Sequence, residues 1–523
     1  GYIDGNVGTG TIVSTSGSNA PAIFLQSIGG GGGRITNKDG AFIGTAGGSG
    51  QGGAIDVTIS GTVQATGYSS LGVFAQSQGD DKSNSPISVT VASGGLIQVG
   101  TNGVPTGYNG TSAGIYIDHG GTGAEVDGKP VVNTVTNNGT IQTYGTEMNA
   151  VAVYSNAGYT QVINNGTMNG DVLLTNGGGI GCFTNNGHYG GGDQVTVGAC
   201  GVTNNGVMDV RGKALAITGG FTNSAGGTLV LTSDFSNRSS VGLTIDGDAK
   251  IGGKVEIHPT VMRKATTTLA TATGTLSLDP TISSASDTHL YSFAFDTDGK
   301  ALHVTPSAHF SDKASSMGAN QRAVANNLQS LFDSGATMDK GFARLSGVNG
   351  DADYMSSLSS MSGRALGAIG AFRFNSSRTF AMNLYGGCSG APLSAKDTDS
   401  CVWGRVLVNG SDQKEGVDTL GYHATATAWQ MGGQIQLSPE LALTGSMAYE
   451  HSNLRDKQGG ARVSGDALVG GIGALYASGA VELSGGVDGA YGWYSSARKV
   501  TVAGLTDQAD AKPQQWQVGA HVR

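Results

Sequence analysis

The chain has 523 residues, of which 90 are glycine and 10 are proline, with charged side chains at 13%, about half the usual share of a soluble domain. Glycine at this density is costly inside helices, which excludes a helix-rich enzyme fold, while the lack of a three-residue glycine period excludes collagen. The 38% of hydrophobic residues, the formal charge of −9 and the six basic against twelve acidic side chains in residues 1–230 exclude a disordered chain and predict no nucleic-acid partner.

The first half repeats. Residues 12–30, 63–79, 97–121 and 141–158 share one outline, and aligning their aromatics gives Phe24, Phe74, Tyr116 and Tyr154, spaced by 50, 42 and 38 residues. Units of that length predict two coils each. A second signature follows as VTNNGTI, VINNGTM, FTNNGHY and VTNNGVM around Asn138, Asn165, Asn186 and Asn205, spaced by 27, 21 and 19, with a degraded FTNSAGGTL from Phe221. A period near twenty predicts one coil of a right-handed parallel β-helix per unit, with apolar strands inward, Asn-Gly at tight turns of positive φ, and stacked asparagine ladders. Antiparallel hairpins with Asn-Gly turns are the competing reading. The expected domains are β-helical repeats over 1–230 and a strand-rich cap over 231–312, where the Asn-Gly signature is lost.

A helical linker is expected over 313–387. Val324, Leu328, Leu331 and Phe332 fall at i, i+4, i+7 and i+8, and Leu366, Ile369, Phe372 and Phe380 lie near one face of a second stretch that also carries Arg364, Arg373 and Arg378. From Val402 the period becomes two. Leu441, Leu443, Met447 and Tyr449 oppose Ala442, Thr444 and Glu450; Val481, Leu483, Val487, Tyr491 and Trp493 oppose Glu482, Ser484 and Asp488; Trp516, Val518, Ala520 and Val522 alternate with Gln515, Gln517, His521 and Arg523. About six strands, near 402–410, 421–437, 439–452, 464–477, 480–495 and 512–523, predict part of an antiparallel transmembrane barrel over 388–523, with a soluble β-sandwich as the alternative. No run of eighteen apolar residues exists for a spanning helix. The opening inside a repeat, without a leader, and an open sheet at the end predict a fragment truncated at both ends.

The segments AIFLQSIGGGGG (22–33), NQRAVANNL (320–328), SSRTFAMNL (376–384) and CVWGRVLVNG (401–410), in this order around the β-helix and the alternating strands, resemble an autotransporter of type V secretion. The resemblance implies an all-β architecture: a β-helical passenger displayed at the cell surface, an autochaperone-like cap, a helix threading the pore, and about half of a twelve-stranded barrel in the Gram-negative outer membrane. The implied partners are outer-membrane lipid and the barrel-assembly machinery. Folding outward from the cap then needs no nucleotide.

Cys182 with Cys200 and Cys388 with Cys401 each close a short loop, predicting two disulfides in an oxidising compartment, with free buried thiols as the alternative. Gly110–Gly114 matches a nucleophile-elbow pattern at the frequency chance predicts and lacks its strand-to-helix context, so no catalytic residue is assigned. Gly29–Gly33 and Gly191-Gly192-Asp193 are expected to be exposed turns and not calcium loops. His119, His188 and His258 are expected in turns or at the surface; no metal and no cofactor is predicted. Adjacent Asn326 and Asn327 raise self-cleavage by asparagine cyclisation, but the helix nearest the barrel carries Asn375-Ser376, so an uncut chain is expected. The passenger, not expected to be an enzyme, is read as an adhesin for host surface or matrix, or as a cell-aggregation factor binding like passengers. The alternative is a displayed polysaccharide lyase or esterase.

Overall fold

The computed structural model describes every residue except 32–47, 80–84, 101–111, 120–124, 127–128, 145–150, 157, 175–179, 199, 339, 386–387, 389–399 and 417. It divides into two compact units: Gly1–Ala308 with Phe332–Ala343, and His309–Leu331 with Arg344–Arg523.

Each coil of the first unit contributes one strand to each of three parallel sheets. Strands Ile55–Ile59, Thr62–Ala65 and Leu71–Gln78 make one coil, and Ile87–Val91, Leu96–Val99 and Ala113–His119 make the next, pairing Ile55 with Ile87, Thr62 with Leu96 and Leu71 with Ala113. In-register stacking turns alternation along a strand into rows along the solenoid. The buried row Val57, Val89, Val135, Val162, Phe183, Val202 and Phe221 fills one side of the core. The row Val63, Ile97, Ile141, Met168, Tyr189, Met208 and Leu229 fills another. Each such side chain contributes about 1.5–3 kcal/mol of burial. Parallel stacking runs on through strands Thr228–Asp234, Lys254–Val261 and Ser283–Ser284. The antiparallel pair Tyr291–Thr297 and Ala301–Ala308 then joins the third sheet, covering its last parallel strand, Thr267–Ala272.

Two expectations are corrected. Phe24 pairs with Phe74, Phe74 with Tyr116 and Tyr116 with Tyr154, so each long unit of the repeat is one coil and not two. The extra length lies between strands of a single turn of the solenoid. The Asn-Gly corners are also not positive-φ turns: none of Asn138, Gly139, Asn165, Gly166, Asn186, Gly187, Asn205 or Gly206 has positive φ. Glycine is needed there because coils touch. A Cβ on Gly187 would stand 2.1 Å from the Gly166 carbonyl oxygen, which accepts the backbone N–H of His188 at 2.8 Å.

The Asn-Asn pairs form two ladders. The first asparagine of each pair points inward: Asn137 donates to Asn164, Asn164 to Asn185 and Asn185 to Asn204 at 2.7 Å, and Asn204 to Asn223 at 2.6 Å. The same amides donate to the carbonyls of Thr167, His188, Val207 and Thr228 in the next coil, so these buried polar groups are satisfied. The second asparagines form an exposed ladder, in which Asn165, Asn186 and Asn205 each donate 2.8 Å to the residue one coil earlier. Cys182 and Cys200 are disulfide-bonded across consecutive coils, with Cα atoms 5.4 Å apart.

The second unit holds most of the helices α1 (Ala319–Asp333), α2 (Gly341–Leu345), α3 (Asp351–Met361) and α4 (Arg364–Met382). Its antiparallel strands are Cys401–Gln413, Tyr422–Ser438, Leu441–Asp456, Ala461–Ser478 and Val481–Val502, then Leu505–Ala511 and Gln514–Val522, which both pair with Val481–Val502. Among the described residues seven strands stand where six are expected, the additional one being Leu505–Ala511, and Cys401–Gln413, Leu441–Asp456, Ala461–Ser478 and Val481–Val502 run past the expected bounds into polar ends that carry no apolar alternation. The apolar stripe expected on α1 is shifted: Ala325, Leu328 and Phe332 are buried while Leu331 is 38% exposed. On α4, Ile369, Phe372 and Phe380 are buried, but Leu366 faces out at 41% exposure.

Two outcomes follow. Gly187→Ala should lower the unfolding free energy of the β-helix by about 2 kcal/mol, since backbone must move to admit a methyl group; urea denaturation of the chain followed by far-UV circular dichroism checks this. Asp171 accepts the N–H groups of Asp193 and Gln194 at 2.8 and 3.0 Å, yet burial lifts its carboxyl from 3.8 to about 6. A raised carboxyl stabilises the fold fully below the unfolded value and loses that contribution as pH rises through about 6. The carboxylates held low, Asp209 by Arg211, Asp279 by Lys250 and Asp298 by the Lys300 N–H, keep their full stabilisation above 3.8 and lose it only as pH falls below that value. Between pH 4.5 and 7.5 the wild type should therefore lose on the order of 2 kcal/mol more stability than Asp171→Asn. Denaturation midpoints of the two proteins at both pH values measure the difference.

Candidate functional site

The outer surface of the β-helix carries polar rows. On one sheet Thr58, Thr90, Thr136, Ile163, Thr184, Thr203 and Thr222 lie in direct register, all partly exposed. On a second, Gln64, Gln98, Gln142 and Asn169 do the same, with Asn169 donating to Gln142 at 2.7 Å. Two acids of this unit are engaged with their neighbours. Asp118, raised by burial, accepts from Gln76 at 2.6 Å and Asn156 at 3.3 Å, and Asp209 pairs with Arg211 at 2.6 Å.

The singled-out residues of the first half do not come together. Ser112 is buried ahead of strand Ala113–His119, while Gly110 and Thr111 lie outside the described residues, as do Gly32 and Gly33. Gly191 is a positive-φ turn, and Asp193 binds Asp171 through its backbone N–H. His188 is on a strand and half-buried; His258 is on a strand beside Glu256 at 2.6 Å. His119 corrects the surface expectation, because it closes a strand and is fully buried. Asn326 and Asn327 are exposed on α1, and Asn375 is exposed on α4.

The second unit has the more specific arrangement. Its sheet is inverted relative to a water-soluble one. Val402, Val406, Val408, Met431, Ile435, Met447, Leu468, Ile472, Leu483 and Val487 are all at least 50% exposed on the outward face. Ala424, Gln430, Gln434, Thr444, Glu450, Ser452 and Asp488 are buried on the other. The outward apolar run from Leu441 to Tyr449 spans about 27 Å along its strand, or roughly 20 Å after a barrel strand's tilt, close to the apolar band of an outer-membrane wall. It ends in one register row holding Trp429, Tyr449, Tyr491 and Trp516. Aromatic rings in such a row suit the boundary between hydrocarbon and water.

Helix α4 lies on the polar face in layers. At its N-terminal end Ala365, Ala368, Ile369 and Phe372 cluster with Leu420, Tyr422, Ala424, Leu454, Val463 and Tyr494. In the middle, Arg373 and Ser376 both bond to Glu450, and Ser377 donates to Asp488 at 2.7 Å. Arg373 and Glu450 are 2% and 4% exposed, so this ion pair is removed from water. Below it Phe380 packs on Ala448 and Val469, and Leu384 and Tyr385 pack on Ala442 and Leu475. Thr444 donates to the Leu384 carbonyl at 2.8 Å, and the Tyr385 hydroxyl and His521 Nε2 lie 2.8 Å apart. Gly473 and Gly486 leave room for that ring, since a Cβ on either would approach the Tyr385 oxygen within 2.6 Å. Cys388 and Cys401 are disulfide-bonded with Cα atoms 5.8 Å apart, tying the segment after α4 to the start of the first strand.

Arg373, Glu450 and Asp488 are each legible in the sequence as charges among small or apolar residues, but nothing in the spacing pairs them. The signal that finds them is an acid at a helix-facing position of a strand whose other face is apolar. Chemically the arrangement holds a helix: Arg373, Ser376 and Ser377 find Glu450 and Asp488 across the interface.

Residues 402–523 match the family model described as the autotransporter beta-domain. No curated protein and no solved structure matches the chain.

Removing one partner of a buried ion pair leaves the other charge uncompensated, at a cost of about 3–5 kcal/mol, whereas replacing both by apolar side chains is often neutral. Glu450→Ala should lower the thermal midpoint of the detergent-solubilised protein markedly, and Arg373→Met with Glu450→Leu should recover most of the loss. Near-UV circular dichroism melts of the three proteins test this.

Proposed function

We propose that this chain, an autotransporter by its beta-domain at residues 402–523 behind a parallel β-helix, carries a passenger that is a non-enzymatic adhesin or cell-aggregation factor of a Gram-negative bacterium. The β-domain inserts in the outer membrane and supports export of the passenger. The observation that carries the proposal is the succession of polar groups in register on the passenger's faces, Thr58 to Thr222 on one, broken only at Ile163, and Gln64 to Asn169 on another. Equal, weak contacts repeated at the spacing of one coil give avidity without a deep pocket. The nearby acids support the same reading, because Asp118, Asp171 and Asp209 are occupied by amides, backbone N–H groups and an arginine. The partners are then a host surface or matrix, or a like passenger on another cell, with outer-membrane lipid and the barrel-assembly machinery serving the β-domain.

The direction of α4 supports display outside. Its C-terminal end lies beside Ala442 and Leu475, next to the two-residue turns 439–440 and 479–480. Its N-terminal end lies beside Tyr422 and Leu454, next to the longer connections 414–421 and 457–460. In outer-membrane barrels the short turns are periplasmic and the longer loops external, so the chain leading into α4 departs outward.

Protease added to intact cells should remove the passenger and leave residues 402–523 in the outer-membrane fraction. Cells displaying Thr136→Lys with Thr184→Lys and Thr203→Lys should sediment and adhere to matrix-coated surfaces several-fold less than wild type at equal surface display. Undiminished clumping and adherence would refute the role of the polar faces.

A further inference from the structure

Beyond the aromatic row, the outward face of the second unit turns abruptly basic. Three register steps further along the same face, Arg455 stands directly opposite Arg462 on the neighbouring strand, and Arg462 opposite Ala497. Lys499 follows Ala497 two residues on, its backbone N–H held by the Gly460 carbonyl at 2.7 Å. Arg455, Arg462 and Lys499 are all exposed and make no ion pair among the described residues. Like charges directly opposite on antiparallel strands are destabilising unless something neutralises them.

None of the surrounding acids among the described residues is ion-paired with these three side chains. Asp456 turns inward to the hairpin, accepting the N–H groups of Gln458 and Gly460 at 3.0 Å. Asp412 is held between Lys457 and His423, Asp466 is bonded to Tyr449 and His451, and Asp510 accepts from Gln508. Arg498, on the same strand as Lys499, is spent on the carbonyls of Ser360, Met361 and Ser362 at the end of α3. What remains is a cleft of about 340 Å³ whose wall carries Arg455, Arg462, Arg498 and Lys499 against one carboxylate, Asp456, with Gln508 and the glycines 459 and 460 between them.

We propose that this cleft binds a phosphate carried on the saccharide headgroup of an outer-leaflet glycolipid. The proposal rests on the reading that the sheet faces lipid. Two arginines offer forked donors suited to phosphate, and the lysine adds a point charge. Height decides between lipid sources. From Tyr491, in the aromatic row, to Ala497 is about 20 Å of strand, or roughly 15 Å above the hydrocarbon edge after tilt. A phosphate attached next to the acyl chains cannot reach that level, whereas one on a sugar core can. The site gives the barrel a fixed lipid neighbour on the side of the hairpin at 456–461.

The test uses the full chain in mild detergent and native mass spectrometry of the lipid it retains. Lipopolysaccharide with a phosphorylated inner core should be retained by wild type and at least ten-fold less by Arg455→Ala with Arg462→Ala and Lys499→Ala. Arg455→Lys with Arg462→Lys should restore most of the binding, and matched thermal melts confirm that all three proteins are folded. Core-less lipid A and phosphatidylglycerol should be retained weakly by all. Equal retention by wild type and the alanine variant, or equal retention of core-less and core-bearing lipid, overturns the proposal. Inorganic phosphate should displace the glycolipid more effectively than chloride of equal ionic strength, and equal displacement by the two salts also overturns the proposal. If the chain instead stays monodisperse without detergent, it is the membrane reading that fails, independently of the lipid result.

Discussion

A polypeptide in hydrocarbon has no water to satisfy its backbone, so its hydrogen bonds must close within the protein while its side chains face lipid. The antiparallel sheet of residues 401–522 has the residue pattern this demands. Successive strands pair along nearly their whole length, and alternation sends most Val, Leu, Ile and Met outward while Ala, Gly, Thr, Ser, Glu and Asp, with Leu454, Val463, Val469 and Leu475, turn toward the helix. In water the same arrangement would expose the larger apolar residues and bury charges, against the sign of the hydrophobic effect. The inversion is therefore the property on which the membrane assignment, the role of α4 and the meaning of the aromatic row all depend.

Once the polar face is turned inward, something must occupy it. Helix α4 does so by matching chemistry layer by layer, with alanines and Phe372 against an apolar end, Arg373 and the two serines against Glu450 and Asp488, and Phe380 and Tyr385 against small residues. A buried ion pair of this kind is weak as a source of stability but strict about position, because a slipped helix leaves charges unpaired. The β-helix solves its own version of the problem with amides. Its inward asparagines are tolerated because each bonds to the next coil both through its neighbour's side chain and through a carbonyl. Both units thus place polar groups where only one register satisfies them.

Much of this was legible in the sequence, and the failures have definite causes. Period-two alternation in 441–449 and 481–493 identified the outward face residue by residue, because lipid selects side chains as sharply as a core does. The alignment of Phe24, Phe74, Tyr116 and Tyr154 found true register partners, but the coil count was doubled, since sequence spacing cannot tell a second coil from an insertion within one. The Asn-Gly corners were recognised with the wrong reason attached. Their glycines answer to a carbonyl one coil away, a contact that no local turn rule contains. Nothing local marks the first asparagine of each pair as inward, because polarity argues for the surface until a ladder supplies its partners. Leu331 and Leu366 were placed in buried stripes because helical periodicity assigns a face without saying how wide the neighbour is. The pairing of Arg373 with Glu450 lay beyond any local pattern, as the two residues are 77 apart.

The most direct measurement is the accessibility of single spin labels placed at alternate positions of one strand in reconstituted membranes. Labels at Leu468, Gly470 and Ile472 should relax with lipid-dissolved oxygen and be shielded from a water-soluble nickel complex, while labels at Ala467 and Val469 should be shielded from oxygen. Alternate positions with equal oxygen exposure, or outward labels reached by the nickel complex, would contradict the inverted sheet.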